Sequence, residues 1–247
     1  MNALLRIFKV LWVAFWLGFA TVVVFIPIVV SASLSSTGNL AFTISRVWAW
    51  LMLKMTWVHP EIRGKENIRK GQSYIIISNH QSHFDILALV VKLGIQFRWI
   101  MKKELRKIPL FGFALYASRN IFIDRSDRQK AVESIRDGVK RLPEGVSVMF
   151  FAEGTRSPDG KIHKFKKGGF ATALESGLPI LPVTVNGSRK VLPKKSVAFT
   201  PGPIEVIVGN PVSTENYTHD DLGELIHKIR SIITANFNPD YPEKVAS

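Results

Sequence analysis

The strongest pattern in the chain lies in its first sixty residues. No charged side chain occurs from Val10 to Ser45, and Val10–Ala32 is almost wholly apolar behind Arg6 and Lys9. At about 1.5 Å of rise per residue, a helix of this length reaches across a hydrocarbon core of about 30 Å. Pro27 is expected to kink or end that helix. A second apolar stretch, Ala41–Val58, is interrupted only by Arg46 and Lys54 and carries Trp48, Trp50 and Trp57. Tryptophans with a few basic residues favour the membrane interface. The link Leu34–Leu40 is short and uncharged. The pattern predicts either a spanning hairpin or two helices sunk into one leaflet, with the shallow form preferred. Basic residues flank both outer ends, which puts those ends on the cytoplasmic side. A cleaved secretory signal with Ser31-Ala32-Ser33 as its processing site would have an apolar run of about 7–15 residues. This run is longer, and another apolar segment follows it.

Beyond a boundary near His59–Gly71, marked by Pro60, Gly64 and Gly71, buried-strand runs alternate with helical spacings. Strands are predicted at Tyr74–Ser78, Phe97–Met101, Asn120–Asp124, Val146–Phe151, Ile180–Val185 and Ile204–Val208. Helices are predicted at Ile86–Leu93, Pro109–Ala117, Asp127–Leu142, Gly168–Glu175 and Leu222–Phe237. Continuous apolar strands between helices predict an α/β fold, with a mixed or parallel, largely buried sheet flanked by helices. The expected organisation is a two-helix membrane-associated segment at 1–59 and an α/β domain at 60–247.

Charge narrows the partners. Residues 61–211 hold 26 basic and 13 acidic residues, whereas residues 1–60 hold four basic residues and no acid. An anionic partner is implied there: lipid headgroup, phosphorylated substrate or nucleic acid. The chain has no cysteine, which excludes disulfides, a thiol nucleophile and cysteine-based zinc sites. A thioester-bound acyl group would have to come from outside the chain.

Four segments at strand ends hold the candidate chemistry. The first, Asn79-His80-Gln81-Ser82-His83-Phe84-Asp85, pairs a histidine with an aspartate five positions on. A histidine is a suitable base near neutral pH, and a carboxylate can fix its tautomer. The bland alternatives are a hydrogen-bonded loop histidine and an aspartate helix cap. A metal site from His80, His83 and Asp85 has no further ligand source in view. Ser82 lacks the G-x-S-x-G elbow of a hydrolase. The second segment, Phe151-Ala152-Glu153-Gly154-Thr155-Arg156-Ser157, offers a close-approach glycine and phosphate-binding groups, or simply a surface turn. The third is Phe122-Ile123-Asp124-Arg125, preceded by Lys102 and Lys103. The fourth, Leu178-Pro179-Ile180-Leu181-Pro182-Val183, suits a strand start or an apolar wall.

NHQSHFD, FIDR, FAEGTRS and LPILPV in this order resemble the glycerolipid acyltransferase family over roughly residues 60–210, most closely its 1-acyl-sn-glycerol-3-phosphate acyltransferases. The apolar N-terminus is similar to the bacterial form. The resemblance implies a general base at His80 with Asp85 as its partner. It implies an acceptor-phosphate site from Arg125, Glu153, Gly154, Thr155 and Arg156, joined by Lys102 or Lys103. Residues 110–117 and the Pro179/Pro182 region would face acyl chains. It implies an acyl donor carried on coenzyme A or acyl-carrier protein, lysophosphatidic acid as acceptor, membrane lipids as surroundings, no bound cofactor and no catalytic metal. The implied location is a bacterial-type inner membrane, with the catalytic domain on the cytoplasmic side. Lys161, Lys164, Lys166, Lys167, Arg189, Lys190, Lys194 and Lys195 are expected to ring the site. Rival readings keep the fold but change the acceptor to glycerol-3-phosphate, a lyso-ornithine lipid or another lysophospholipid. A membrane-tethered nucleic-acid binder is suggested only by the sequence pI of about 10.1 and lacks a binding motif. A non-catalytic lipid-binding module is the third.

Overall fold

The computed structural model describes residues 3–124, 126–197 and 199–242. Helix α1 runs from Ala3 to Leu34 and α2 from Asn39 to Met55. Pro27 lies inside α1 and does not end it; the helix continues for two further turns. Among the described residues, α1 is the only helix long and apolar enough to cross a membrane, and most of its surface is unburied. The two helices are pinned by indole donors: Trp12 Nε1 to Met55 O at 2.7 Å and Trp48 Nε1 to Thr21 Oγ1 at 3.2 Å.

The domain that follows is built on β1 (Val58–Arg63), β2 (Ile75–Ser78), β3 (Phe97–Lys102), β4 (Ile121–Ile123), β5 (Ser147–Phe151), β6 (Ile180–Asn186) and β7 (Gly202–Val208). Their order in the single sheet is β1-β7-β6-β2-β5-β3-β4. Strands β6, β2, β5, β3 and β4 run parallel, and β7 turns antiparallel on β6. The sheet is therefore mixed, and its centre is buried on both faces, as the unbroken apolar runs predict. Helices α3 (Phe84–Lys92), α4 (Phe111–Ala117), α5 (Arg128–Lys140), α6 (Gly168–Ser176), α7 (Ser188–Val191) and α8 (Leu222–Ala235) complete it. One face packs on α2 and α3, the other on α5, α6 and α8.

Strand β1 was not legible in the sequence. It is an edge strand in which only Val58 is buried, so it carries no apolar run, and an edge tolerates Pro60. The basic residues of the hairpin also act unexpectedly. Arg46 does not reach toward headgroups; its guanidinium donates to Val90 O at 3.2 Å and Ile95 O at 3.0 Å at the end of α3. That caps orphan carbonyls at a helix C-terminus.

The hairpin turn is held just as firmly. Arg98, on β3, is completely buried and has no acidic partner among the described residues. Its Nη1 donates to Phe97 O and Gln96 Oε1, and its Nη2 to Thr37 O at 3.0 Å and to Asn39 Oδ1. Its charge lies 5.4 Å from the Phe42 ring centroid. Burial pulls its pKa down to about 10, so it remains charged at neutral pH. Arg119 Nε donates to Ser36 O at 3.0 Å. Gly38 lets the turn come this close: at φ +73° it sits where a Cβ would be 2.6 Å from Arg119 Cγ. Arg98→Ala would strip the turn carbonyls of donors and leave a void. It is expected to lower the unfolding free energy by about 2–4 kcal/mol and to expose residues 34–38 to protease. Unchanged melting and cleavage would contradict this account.

Candidate active site

Strand β2 ends at Ser78, and the chain must turn before α3. Asn79 secures the turn by mimicking a neighbouring strand: Nδ2 donates to Val185 O at 2.9 Å, and Oδ1 accepts from Val185 N at 2.8 Å. Asp85 in the first turn of α3 is wholly buried. Its Oδ2 accepts from His80 Nδ1 at 2.8 Å, Gln81 N at 2.7 Å and Ser82 N at 2.9 Å. The structure thus joins the two residues that the spacing paired. An ionised carboxylate only accepts, so it holds the proton on Nδ1 and leaves Nε2 with its lone pair. Nε2 has no hydrogen-bond partner among the described residues. The imidazole lies flat on Phe151, with ring centroids 3.6 Å apart and 7° between planes, and Phe151 in turn stacks on Trp99 at 5.3 Å.

The loop after β5 closes against the same histidine. Ser157 N donates to His80 O at 2.8 Å. Glu153 is buried, and its carboxylate brackets two backbones: Oε1 accepts from His80 N at 3.3 Å and Oε2 from His163 N at 3.2 Å. Burial pushes its pKa up, partly offset by those two N–H groups. Both carboxylate oxygens thus face the loop backbone. Gly154 has φ +71°, and Lys166 lies across it with its Cδ 3.0 Å from a notional Cβ. Thr155 is exposed, with Oγ1 accepting from Lys194 Nζ at 3.3 Å; Lys194 also donates to Arg156 O at 2.6 Å. Arg189 donates to Pro158 O at 3.1 Å and Ser157 O at 3.4 Å. These two cations therefore staple the loop by its carbonyls. Arg156 is half-buried, and its guanidinium has no hydrogen bond or ion pair among the described residues. Together with desolvation and the nearby His80, its charge holds the His83 imidazole below its ordinary pKa.

Lys102 and Lys103 stand at the end of β3, next to β5, but each faces an acid: Lys102 is 3.5 Å from Glu104, and Lys103 pairs with Asp124. That pairing and the Ser126 donors hold Asp124 well below the carboxylate range. Arg125 lies outside the described residues. Pro179 and Pro182 serve the sheet. Pro179 O accepts from Ile75 N at 3.0 Å, and Pro182 sits in β6 one step beyond the ladder with β7, packed near Gly209 and Ile232. Neither lines the apolar cavity between α1, α2, α3 and α4. Phe111, Ala114 and Leu115 do line it, and Trp99 forms its wall toward Phe151 and His80. Among the described residues, no group of three His, Cys, Asp or Glu side chains is arranged to hold a metal ion.

Sequence reasoning missed Phe151, read only as core, and gave no role to Asn79, although both lie inside the motifs. It expected Lys194 and Arg189 to ring the site, and only their tertiary contacts reveal them as staples of the loop.

The family described as Acyltransferase matches residues 59–186. The 1-acyl-sn-glycerol-3-phosphate acyltransferase of Pseudomonas aeruginosa is 35% identical over 177 residues, which cover 71% of this chain and 68% of that protein. The protein of the same name from Saccharomyces cerevisiae is 33% identical over 189 residues, 75% of this chain and 62% of that one. An acyltransferase of Schizosaccharomyces pombe is 34% identical over 171 residues, 68% and 61% respectively. The chain thus spans less than two thirds of these last two relatives. The crystal structure of the 1-acyl-sn-glycerophosphate (LPA) acyltransferase PlsC from Thermotoga maritima superposes with a TM-score of 0.82 at 26% identity, covering 95% of both chains. A family match over more than half the chain, with a whole-chain structural likeness behind it, means that this chain belongs to the acyltransferase family.

Proposed function

We propose that this chain transfers a fatty acyl group from a thioester donor, acyl-CoA or acyl-carrier protein, to the sn-2 hydroxyl of 1-acyl-sn-glycerol-3-phosphate, giving phosphatidic acid. The observation that carries this reading is the His80 Nδ1–Asp85 Oδ2 bond of 2.8 Å, with the opposite ring nitrogen left unpartnered among the described residues. The names of the relatives support the acceptor. Nε2 takes the hydroxyl proton as that oxygen attacks the thioester carbonyl. The tetrahedral intermediate collapses, the C–S bond breaks, and the thiolate leaves and takes up the proton from the imidazolium. Asp85 stabilises the imidazolium in between. The Arg156 guanidinium supports acceptor-phosphate binding, since an Arg fork matches phosphate oxygens. Glu153 acts by fixing the His80 backbone. The apolar cavity beside Trp99 supports acyl-chain binding next to the base.

A membrane position follows from the same contacts. A hairpin turn bound by Arg98 and Arg119 travels with the domain. The proposal is therefore that α1 and α2 lie in one leaflet, with the apolar face of α1 toward lipid.

Three outcomes are expected. With lysophosphatidic acid and either donor, His80→Ala is expected to lose activity by at least about 10³-fold, with an unchanged circular dichroism spectrum. Near-normal turnover of the purified variant would refute the mechanism. The second outcome concerns pH. Glu153 is shifted upward, so its contribution to stability is complete below the unfolded carboxyl pKa and is lost as pH rises through the higher folded value. Glu153→Gln removes that ionisation, so its melting temperature relative to wild type is expected to improve between pH 4 and pH 7; a constant difference would contradict the buried-carboxylate account. Third, the chain lacks cysteine, so Ser36→Cys and Lys164→Cys can each be labelled alone. In sealed vesicles an impermeant maleimide is expected to reach both from the same side. Labelling from opposite sides would mean that the hairpin spans.

A further inference from the structure

A second concave site lies at the opposite end of the sheet from His80. His80, Glu153 and Asp124 all follow the C-terminal ends of parallel strands. This other pocket, of about 750 Å³, instead surrounds the start of β4 at Asn120 and Ile121. Its walls come from three separate elements: the hairpin turn at Ser36 and Thr37, the end of α4 at Tyr116 and Arg119, and the last turns of α5 at Ser134, Asp137, Lys140 and Arg141.

Three cations meet one acid there. Lys140 and Arg141 make no ion pair or side-chain hydrogen bond among the described residues, and Arg119 commits only its Nε, to Ser36 O. Arg106 adds a fourth positive charge from outside the pocket, 4.2 Å from the centroid of the Tyr116 ring, with Arg119 at 6.0 Å. Basic residues in a last helical turn are ordinary partners of the helix dipole. That accounts for Lys140 and Arg141 singly. Arg119 follows the end of a different helix, α4, so no single helix dipole explains why the three face the same hollow.

The rim of the pocket identifies the ligand. Tyr116 is 41% exposed and lies one turn from Phe113, which is 43% exposed and touches Phe25 of α1 with ring centroids 5.8 Å apart. Leu34, at the end of α1 beside the turn, is 74% exposed. The cationic hollow therefore adjoins the unpartnered apolar surface of α1 and α4. A ligand that suits both needs a phosphate anion joined to hydrocarbon. We infer that this pocket binds the phosphate headgroup of an anionic phospholipid in the same leaflet, at a site separate from the catalytic one. The inference rests on the single-leaflet position proposed above but not on the acyl-transfer chemistry.

The test uses the full chain with vesicles of phosphatidylcholine, with and without 20% phosphatidylglycerol, at fixed ionic strength. A juxtamembrane Lys or Arg contributes about 1 kcal/mol of attraction to anionic lipid, so loss of two is expected to weaken binding to the anionic vesicles by tenfold or more. Lys140→Ala combined with Arg141→Ala should show that loss and leave binding to pure phosphatidylcholine unchanged. The control pair Lys228→Ala and Arg230→Ala removes equal charge from α8 and should lose far less. The exchange Lys140→Arg with Arg141→Lys should retain binding. Equal losses in both alanine pairs would reduce the effect to net charge and overturn the proposal. Saturation by glycerol 1-phosphate with no preference for phosphatidylglycerol vesicles would assign the pocket to a soluble phosphate and overturn it as well. Because the readout is binding, a failure here leaves the His80 mechanism untouched, and an inactive His80 variant should still bind.

Discussion

A single carboxylate oxygen organises the loop that joins β2 to α3. Asp85 Oδ2 receives the His80 ring and the backbone N–H groups of Gln81 and Ser82. A buried carboxylate is costly, and these three donors offset part of that cost through Oδ2, while Oδ1 has no hydrogen-bond partner among the described residues. The same bonds decide where the imidazole points and which nitrogen carries its proton. Phe151 beneath the ring and Ser157 N on the His80 carbonyl remove the remaining freedom. Orientation, tautomer and loop path thus share one origin in the first turn of α3.

The second loop is built by the opposite device. Lys194 and Arg189 reach its carbonyls, and Glu153 reaches two N–H groups across it. Charged side chains here bind backbone dipoles rather than one another. The loop keeps its shape while the Arg156 guanidinium stays uncommitted among the described residues, a fork of donors suited to an anion.

The hairpin obeys the same rule. Arg46 and Arg98 would read as membrane-interface or surface charges, yet both turn inward to carbonyl oxygens. The apolar helices become part of the protein core on one side, through Phe42, Ala49 and Leu53, and remain bare on the other. An exposed apolar face of this extent suits lipid, not water. The apolar hairpin and the α/β domain consequently share one packed core.

The sequence by itself determined the α/β class, nearly all the strands and helices and the two apolar N-terminal helices, which are written in local hydrophobic period and need no knowledge of distant contacts. The spacing of His80 and Asp85 left a loop histidine and a helix cap open; their partnership was implied by the family resemblance of the joint motifs, and the fold brings the two side chains together. Edge strand β1 was silent because one buried residue makes no period. Glu153, Lys194, Arg189 and Arg98 were ambiguous because a charged side chain has no preferred partner until the chain folds; each acts on a backbone group far away in sequence or on another element. Of the two outcomes expected at Pro27, an end to the helix does not occur: α1 runs on to Leu34, packed against α2 and α4. Tertiary structure alone decided which charges were buried, which were bound and which were left free, because desolvation and hydrogen bonding depend on neighbours that only the fold supplies.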